Sequence, residues 1–291
     1  MGDVIAVVNM KGGVGKTTIT VNLASCLARD YKKKVLVIDL DTQINATLSL
    51  VPPLHFSKLK HEQRTLRTLI SKVLQPNPDI NSTLPLIVQT QVCGVPGLDL
   101  IPGDIQLYND LWLATMINNR AAKNNQDFTQ VWQLIEDSLI SNLITPLIKL
   151  YDFILLDFSP GDNLITRSGI LASDYYLIPA KPEPLSVIGI GMLEGRIKKF
   201  RETGRSQIKR LGIILTSLGH ATTMGGKIKH RLEEEFGTNT IFKTEIPLNV
   251  DVAKAVDYSR PVVLNNPQAK GAKALINVTQ EFIHIFSLIT E

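Results

Sequence analysis

The chain has little cysteine, no long apolar run and no large charge excess, and each shortage removes a class of protein. Its 291 residues include 2 cysteines, Cys26 and Cys93, too few for a disulfide-stapled secreted scaffold. Cys26 falls in an apolar helical pattern and Cys93 beside Gly94 and Pro96, so both read as buried or loop residues rather than metal ligands. No apolar stretch reaches the roughly 20 residues that span a bilayer. The sequence enters a strand pattern directly after Met1-Gly-Asp3, with neither the basic segment nor the apolar core of a signal peptide, so a cytoplasmic protein is expected. Low-complexity segments and solenoid-type repeats are also missing. With 44% hydrophobic and 20% charged residues, the composition is that of an ordinary globular chain. The net charge is +4, and it is local. Seven basic side chains, Arg196, Lys198, Lys199, Arg201, Arg205, Lys209 and Arg210, face one acid, Glu202, in a window of net +6, which leaves the remainder near −2.

What is present centres on residues 5–18, where an apolar strand runs into Asn9-Met-Lys-Gly-Gly-Val-Gly-Lys-Thr-Thr18 and then into a helical pattern. Gly12, Gly13 and Gly15 let the backbone curl so that successive N–H groups face one anion, and the helix starting near Thr17 adds its positive end. Lys16 is placed to reach the β- and γ-phosphates of a nucleotide, and the Thr17 hydroxyl to sit on Mg²⁺. Val14 and Thr18 complete the cradle. The general motif G-x-x-x-x-G-K-[ST] fails at its first glycine, where Met10 stands, and a second lysine, Lys11, precedes the glycines. In this the segment resembles the deviant Walker ATPases of the ParA/MinD/Soj group. The resemblance implies that Lys11 crosses to the ATP of a partner subunit in a face-to-face homodimer, so Lys11, Lys16 and an acid share the catalytic work.

Three acids are expected around this loop. Val35-Leu-Val-Ile38 is a short apolar run ending in Asp39-Leu-Asp-Thr-Gln43, and ligands of parallel sheets gather at the carboxyl ends of strands. Two carboxylates beside a triphosphate repel unless a metal ion or proton is shared, and phosphoryl transfer supplies one use for each: one in the Mg²⁺ shell, one on the attacking water. The segment resembles the family's D-x-D-P-Q with Thr42 in place of proline, which implies Asp39 near the metal and Asp41 as the residue required for hydrolysis. Phe153-Ile-Leu-Leu-Asp157 resembles the family's Walker B strand, which implies that Asp157 contacts Mg²⁺ through water. The following Phe158-Ser-Pro-Gly161 departs from the usual double proline. By the same resemblance Thr216 stands where many relatives carry an asparagine near the base, and Ile246-Pro-Leu-Asn-Val250 matches a segment near the adenine, giving Pro247 and the loop around 261–263.

Short apolar runs at 4–8, 35–38, 98–102, 153–157, 175–179, 211–215 and 240–247 read as strands. Helical spacing appears at 17–29, 59–74, 104–118, from 128 to before Pro146, 186–201 and 268–289. The expected fold is α/β: a doubly wound, mostly parallel sheet of about seven strands with helices on both faces, P-loop NTPase-like. One domain over 1–291 is expected, with a peripheral insertion around 52–97.

The basic window suits phosphate-backbone binding, although a charge run alone is also what a solvated helix face looks like. ParA dimers bind nonspecific DNA through this part of the fold. That resemblance implies DNA contacts from Arg196, Lys198, Lys199, Arg201 and Arg205, extended by Lys227 and Lys229. It further implies slow ATP hydrolysis with Mg²⁺, stimulated by a ParB-like partner, a nucleoid-associated protein, and a cargo such as a plasmid, a chromosome or a carboxysome. Three other readings are available. A MinD-like membrane ATPase needs a basic C-terminal amphipathic helix, and 282–291 carries no Lys or Arg. A nitrogenase-reductase-like protein needs two cluster cysteines after the second strand, where Cys93 stands alone. A nucleotide-gated adaptor would bind ATP without useful turnover.

Overall fold

The computed structural model describes residues 2–75, 79–107, 110–123, 125–216 and 223–290. The strands are β1 (Asp3–Val7), β2 (Val35–Leu40), β3 (Leu98–Ile101), β4 (Phe153–Phe158), β5 (Tyr175–Ala180) and β6 (Lys209–Leu215), ordered β3-β2-β4-β1-β5-β6 with every ladder parallel. Parallel neighbours need crossovers, and helices provide them. α1 (Lys16–Tyr31) links β1 to β2; α2 (Asn45–Leu50), α3 (Pro53–His61), α4 (Leu66–Val73) and α5 (Leu84–Ile87) lie between β2 and β3. α6 (Asp110–Lys123) and α7 (Phe128–Ile144) precede β4, while α8 (Leu164–Leu171) and α9 (Pro184–Glu202) flank β5. α10 (Thr223–Phe236), α11 (Val250–Lys254), α12 (Val262–Asn265) and α13 (Lys270–Thr290) follow β6.

The strands read as unbroken apolar runs because both faces are covered. Val4, Ala6, Leu36, Ile38, Ile154, Leu156, Tyr176 and Ile178 pack with α4, α7, α8 and α9. Their alternates Ile5, Val7, Val35, Val37, Leu155 and Leu177 pack with α1 and α13. On that second face Phe282 and Phe286 of α13 meet Phe153 edge-on, with centroids 5.7 and 5.1 Å away. The apolar side of the last helix is therefore docked on the sheet.

The sheet has six strands where about seven are expected. The 240–247 segment runs alongside β6, with an isolated parallel bridge between Ile213 and Ile241 and bonds from Phe242 N to Ile213 O (2.9 Å) and Ile246 N to Leu215 O (2.9 Å). It goes no further because Glu281 of α13 takes the N–H groups of Lys243 (2.6 Å) and Thr244 (3.0 Å), and Pro247 has none to give. The 52–97 segment, expected as a peripheral insertion, contributes Leu66, Leu69, Ile70, Val73, Leu84 and Ile87 to the same buried cluster as the sheet.

Packing of α8 beneath β4 leaves no room for a methyl group at Gly169. A Cβ there would stand 2.5 Å from the Phe158 ring and 3.3 Å from Leu40. Gly169→Ala is expected to destabilise the fold by about 1–3 kcal/mol in urea unfolding; an unchanged midpoint would mean that the ring swings aside freely.

Candidate functional site

β1 lies at the centre of the sheet between β4 and β5, and its carboxyl end delivers the glycine loop directly into α1. Gly13 (φ +67) and Gly15 (φ +87) adopt left-handed backbone that a side chain would strain. Gly15 is the N-cap of α1 and provides no side-chain cap, so the first-turn N–H groups are not occupied by a capping oxygen. A cleft of about 450 Å³ opens over this turn, within the range of pockets that hold cofactor-sized ligands. Gly12, Gly13, Gly15, Lys16, Thr17, Thr18, Asp41, Thr216 and Pro247, drawn from separate sequence motifs, all line it. Val14 does not: its side chain is fully buried, and its carbonyl accepts from the Thr216 hydroxyl at 2.8 Å, which braces the loop.

Lys16 is 6% exposed and folds back over the loop, donating to the carbonyls of Lys11 (2.9 Å) and Asn9 (3.2 Å). Burial pushes its amine below the ordinary lysine range, and Asp157 and Asp41 oppose that shift. Lys11 behaves differently. Its side chain leaves the cleft and pairs with Glu183, just before α9, while its backbone N–H is held by Asn9 Oδ1 at 2.9 Å.

Asp39 and Asp157 are register partners on neighbouring β2 and β4, and their side chains share the α1 face. Asp157 accepts from the hydroxyls of Thr17 (2.7 Å) and Thr20 (3.1 Å). Burial, and then the Asp39 charge, raise its carboxyl well above the ordinary range; burial likewise raises Asp39. Asp39, expected near the metal, lies deeper than the residues that line the cleft. Its carboxylate is fully buried, does not line the cleft, and accepts from Thr47 N (2.8 Å), Thr47 Oγ1 (2.6 Å) and Asp41 N (3.1 Å). It organises the 41–47 segment, and Thr47 in turn accepts from Gly103 N at 2.9 Å. Asp41 is left facing the cleft, with one carboxylate oxygen taking Gln43 N at 2.9 Å.

An oxygen-only set of a threonine hydroxyl and a carboxylate, beside a carboxylate-rich site with one buried lysine, fits a hard divalent cation such as Mg²⁺. Sequence reasoning missed several contributors. Gln43, Asn45 and Pro160 line the cleft, and Leu248, Val252 and Val256 give it an apolar wall beside Pro247. Between Asp41 and α2, Ile44 is held at φ +50, a strained state for a β-branched residue. Of the residues around 261–263, Pro261 borders an adjoining cavity that shares Thr17, Thr18, Asn45, Val252 and Val256 with the cleft, while Val262 and Val263 are buried in the core.

The basic window divides sharply. Arg201 donates to the Ile208 carbonyl, Arg210 pairs with Glu194 at 2.8 Å, Arg205 with Glu136 at 2.8 Å, and Arg196 with Asp162. Lys229 pairs with Glu245 at 2.5 Å. Lys198 lies 3.8 Å from Glu202 and is well exposed, and Lys199, Lys209 and Lys227 are exposed with no ion pair among the described residues. The expected DNA residues are therefore a few free lysines and several arginines already bonded within the fold. No helix of the described residues is long and apolar enough to cross a membrane.

A parallel sheet whose central strand runs through a Gly-Lys-Thr loop into a helix, with acids at the ends of two neighbouring strands, defines a P-loop nucleoside triphosphatase. A family model described as an AAA domain matches residues 2–210, and the chain belongs to that family as a ParA/MinD-type ATPase. It is 28% identical to the sporulation initiation inhibitor protein Soj of Bacillus subtilis, over 97% of this chain and 98% of that protein. It is 26% identical to the chromosome partitioning protein ParA of Caulobacter vibrioides, over 96% of this chain and 93% of that one. Among solved structures, a variant of McdA from Cyanothece in complex with ATP superposes with a TM-score of 0.71 at 19% identity, covering 97% of this chain and 96% of that one, a likeness of fold.

Proposed function

We propose that the protein is a ParA-type ATPase that forms an ATP-dependent sandwich homodimer, binds nonspecific DNA in that state and positions a cargo on the nucleoid of the cytoplasm. A ParB-like partner stimulates its otherwise slow hydrolysis. The observation that carries this reading is the contrast between the two lysines. Lys16 stays inside its own cradle, whereas Lys11 is turned out of the cleft toward Glu183, an arrangement that suits the crossing to a partner's nucleotide which the family resemblance implies. That the related McdA binds ATP, and that Soj and ParA are the chain's relatives along nearly its full length, support the reading.

Phosphoryl transfer asks a protein for positioning and charge neutralisation. The loop N–H groups and the α1 terminus receive the phosphates, and Lys16 exchanges its two carbonyls for phosphate oxygens. Thr17 and Asp157 would hold Mg²⁺, which when bound neutralises charge on the β- and γ-phosphates. Asp41 orients the attacking water, and the apolar wall from 246 to 256 covers the base. The MinD-like alternative is disfavoured because the apolar face of α13 is packed on Phe153.

The test is binding to a random-sequence duplex with ATP, ADP or no nucleotide, for wild type beside Lys11→Ala. ATP-dependent binding that weakens steeply with salt and is lost in the variant is expected. Binding indifferent to nucleotide, or unaffected by the substitution, would overturn the sandwich-dimer reading.

A further inference from the structure

The loop from 159 to 163, between β4 and α8, touches the phosphate cradle at one end and the basic face at the other. At its near end Gly161 N donates to Met10 O at 3.1 Å, and Pro160 lines the cleft, 3.7 Å from where a Cβ on Gly12 would stand. At its far end the Asp162 carboxylate holds two arginines. One oxygen takes Arg196 of α9, and the other lies 3.4 Å from Arg167 of α8. Arg167 continues to Glu136 of α7 at 2.6 Å, and Glu136 also accepts from Arg205 at 2.8 Å. With Arg210 on Glu194, three of the window's cations are thus neutralised by acids from outside it, and one of those acids, Asp162, sits five positions after Asp157 on the loop that a triphosphate would touch.

We propose that Asp162 is a latch that withholds Arg196 from polyanions until a nucleotide in the cradle displaces the 159–163 loop. This deepens the reading above and rests on it: the polyanion is the phosphate backbone of DNA, and the latch is what makes its binding depend on nucleotide. Two effects work together. Asp162 occupies one guanidinium nitrogen of Arg196 that a phosphate would otherwise take, and its own negative charge repels that phosphate. Arg196 and the free Lys199 are three apart and so are neighbours on the α9 surface, and releasing the first completes a pair of cations there. The arginine and the aspartate are about a third exposed, 33% and 29%, and a pair of that kind is weak enough to be exchanged for a phosphate contact. By contrast Glu136 is 10% exposed, and the Arg167 and Arg205 bonds hold its carboxyl below the ordinary range despite burial, so that end of the network is the fixed anchor.

The experiment is fluorescence anisotropy of a labelled random-sequence duplex with wild type, Asp162→Asn, Arg196→Ala and the double variant, each without nucleotide, with ADP and with ATP. Asp162→Asn is expected to bind DNA without nucleotide at least about tenfold more tightly than wild type does in the same condition, with the gain absent from the double variant. Arg196→Ala is expected to weaken the ATP-state complex and reduce its salt slope by about one. If wild type binds DNA with ATP but Asp162→Asn shows no nucleotide-free gain, the latch is overturned and the partition reading stands. If wild type does not bind DNA with ATP, the partition reading fails and the latch fails with it. Should Asp162→Asn not fold, an ATP-state affinity and salt slope unchanged by Arg196→Ala would overturn the proposal on their own.

Discussion

Lys16→Ala weakens Mg·ATP binding by about a hundredfold or more in isothermal titration while the protein stays folded. Charge-assisted hydrogen bonds contribute about 1.5–3 kcal/mol each, and every 1.4 kcal/mol is about tenfold in affinity, so two phosphate contacts from one ammonium reach that range. The buried position strengthens the effect, because Lys16 meets its ligand where water screens little. Folding loses much less. The Lys11 carbonyl that Lys16 now satisfies belongs to a loop whose Gly12 and Gly13 are open to solvent, so water replaces the ammonium there, and the buried Asn9 carbonyl loses only the longer, 3.2 Å contact. Removing a cation whose own pKa is depressed by burial also relieves a desolvation penalty. Lys11→Ala separates from it cleanly. That variant should bind ADP as wild type does, since the Lys11 side chain does not line its own cleft. A Lys16→Ala protein with undiminished affinity would remove the cradle from the nucleotide site.

The cradle was legible because everything that makes it lies within a dozen consecutive residues. Glycines at +67 and +87 must be glycines, and a lysine and threonine after them have few other uses at a strand-to-helix turn. The strands were legible for a related reason: burial on both faces writes itself as a continuous apolar run. What failed depended on partners distant in sequence. Whether 240–247 joins the sheet is decided by Glu281, and no pattern within the segment reveals that another element has taken its N–H groups. The motif gave Asp39 and Asp41 separate roles but not Thr47, the partner that holds Asp39 below the cleft while Asp41 faces it. The net charge of the 196–210 window was counted correctly and still misdescribed its surface, since the acids that pair with it, Glu136, Asp137, Asp162 and Glu194, all lie outside the window. Helical periodicity at 59–74 announced a helix and missed the turn between α3 and α4 and the depth at which α4 is buried.

That division between the two acids of β2 yields the second large effect. Asp41→Ala lowers the ATPase rate by about a hundredfold or more and leaves Mg·ATP affinity within a few fold of wild type. Removing a group that positions or accepts a proton from the attacking water costs about 10²–10⁴ in rate, whereas ground-state binding rests on the loop, Lys16 and the metal ligands. Asp41 is suited to this because its carboxylate reaches the cleft and is committed to a single backbone N–H, that of Gln43. Asp39, fully buried with three donors on its carboxylate, does not line the cleft where the water would stand. The strained Ile44 and the bonds from Asp41 N and Thr47 to Asp39 fix the backbone around Asp41, so its carboxylate is held with one bond of its own, from Gln43 N. Binding without turnover then accumulates the ATP state, and size-exclusion chromatography of Asp41→Ala with ATP should show a persistent dimer where wild type returns to monomer as ATP is consumed. A variant that hydrolyses ATP at the wild-type rate would move the water-positioning role to another cleft residue, with Gln43 the first to replace.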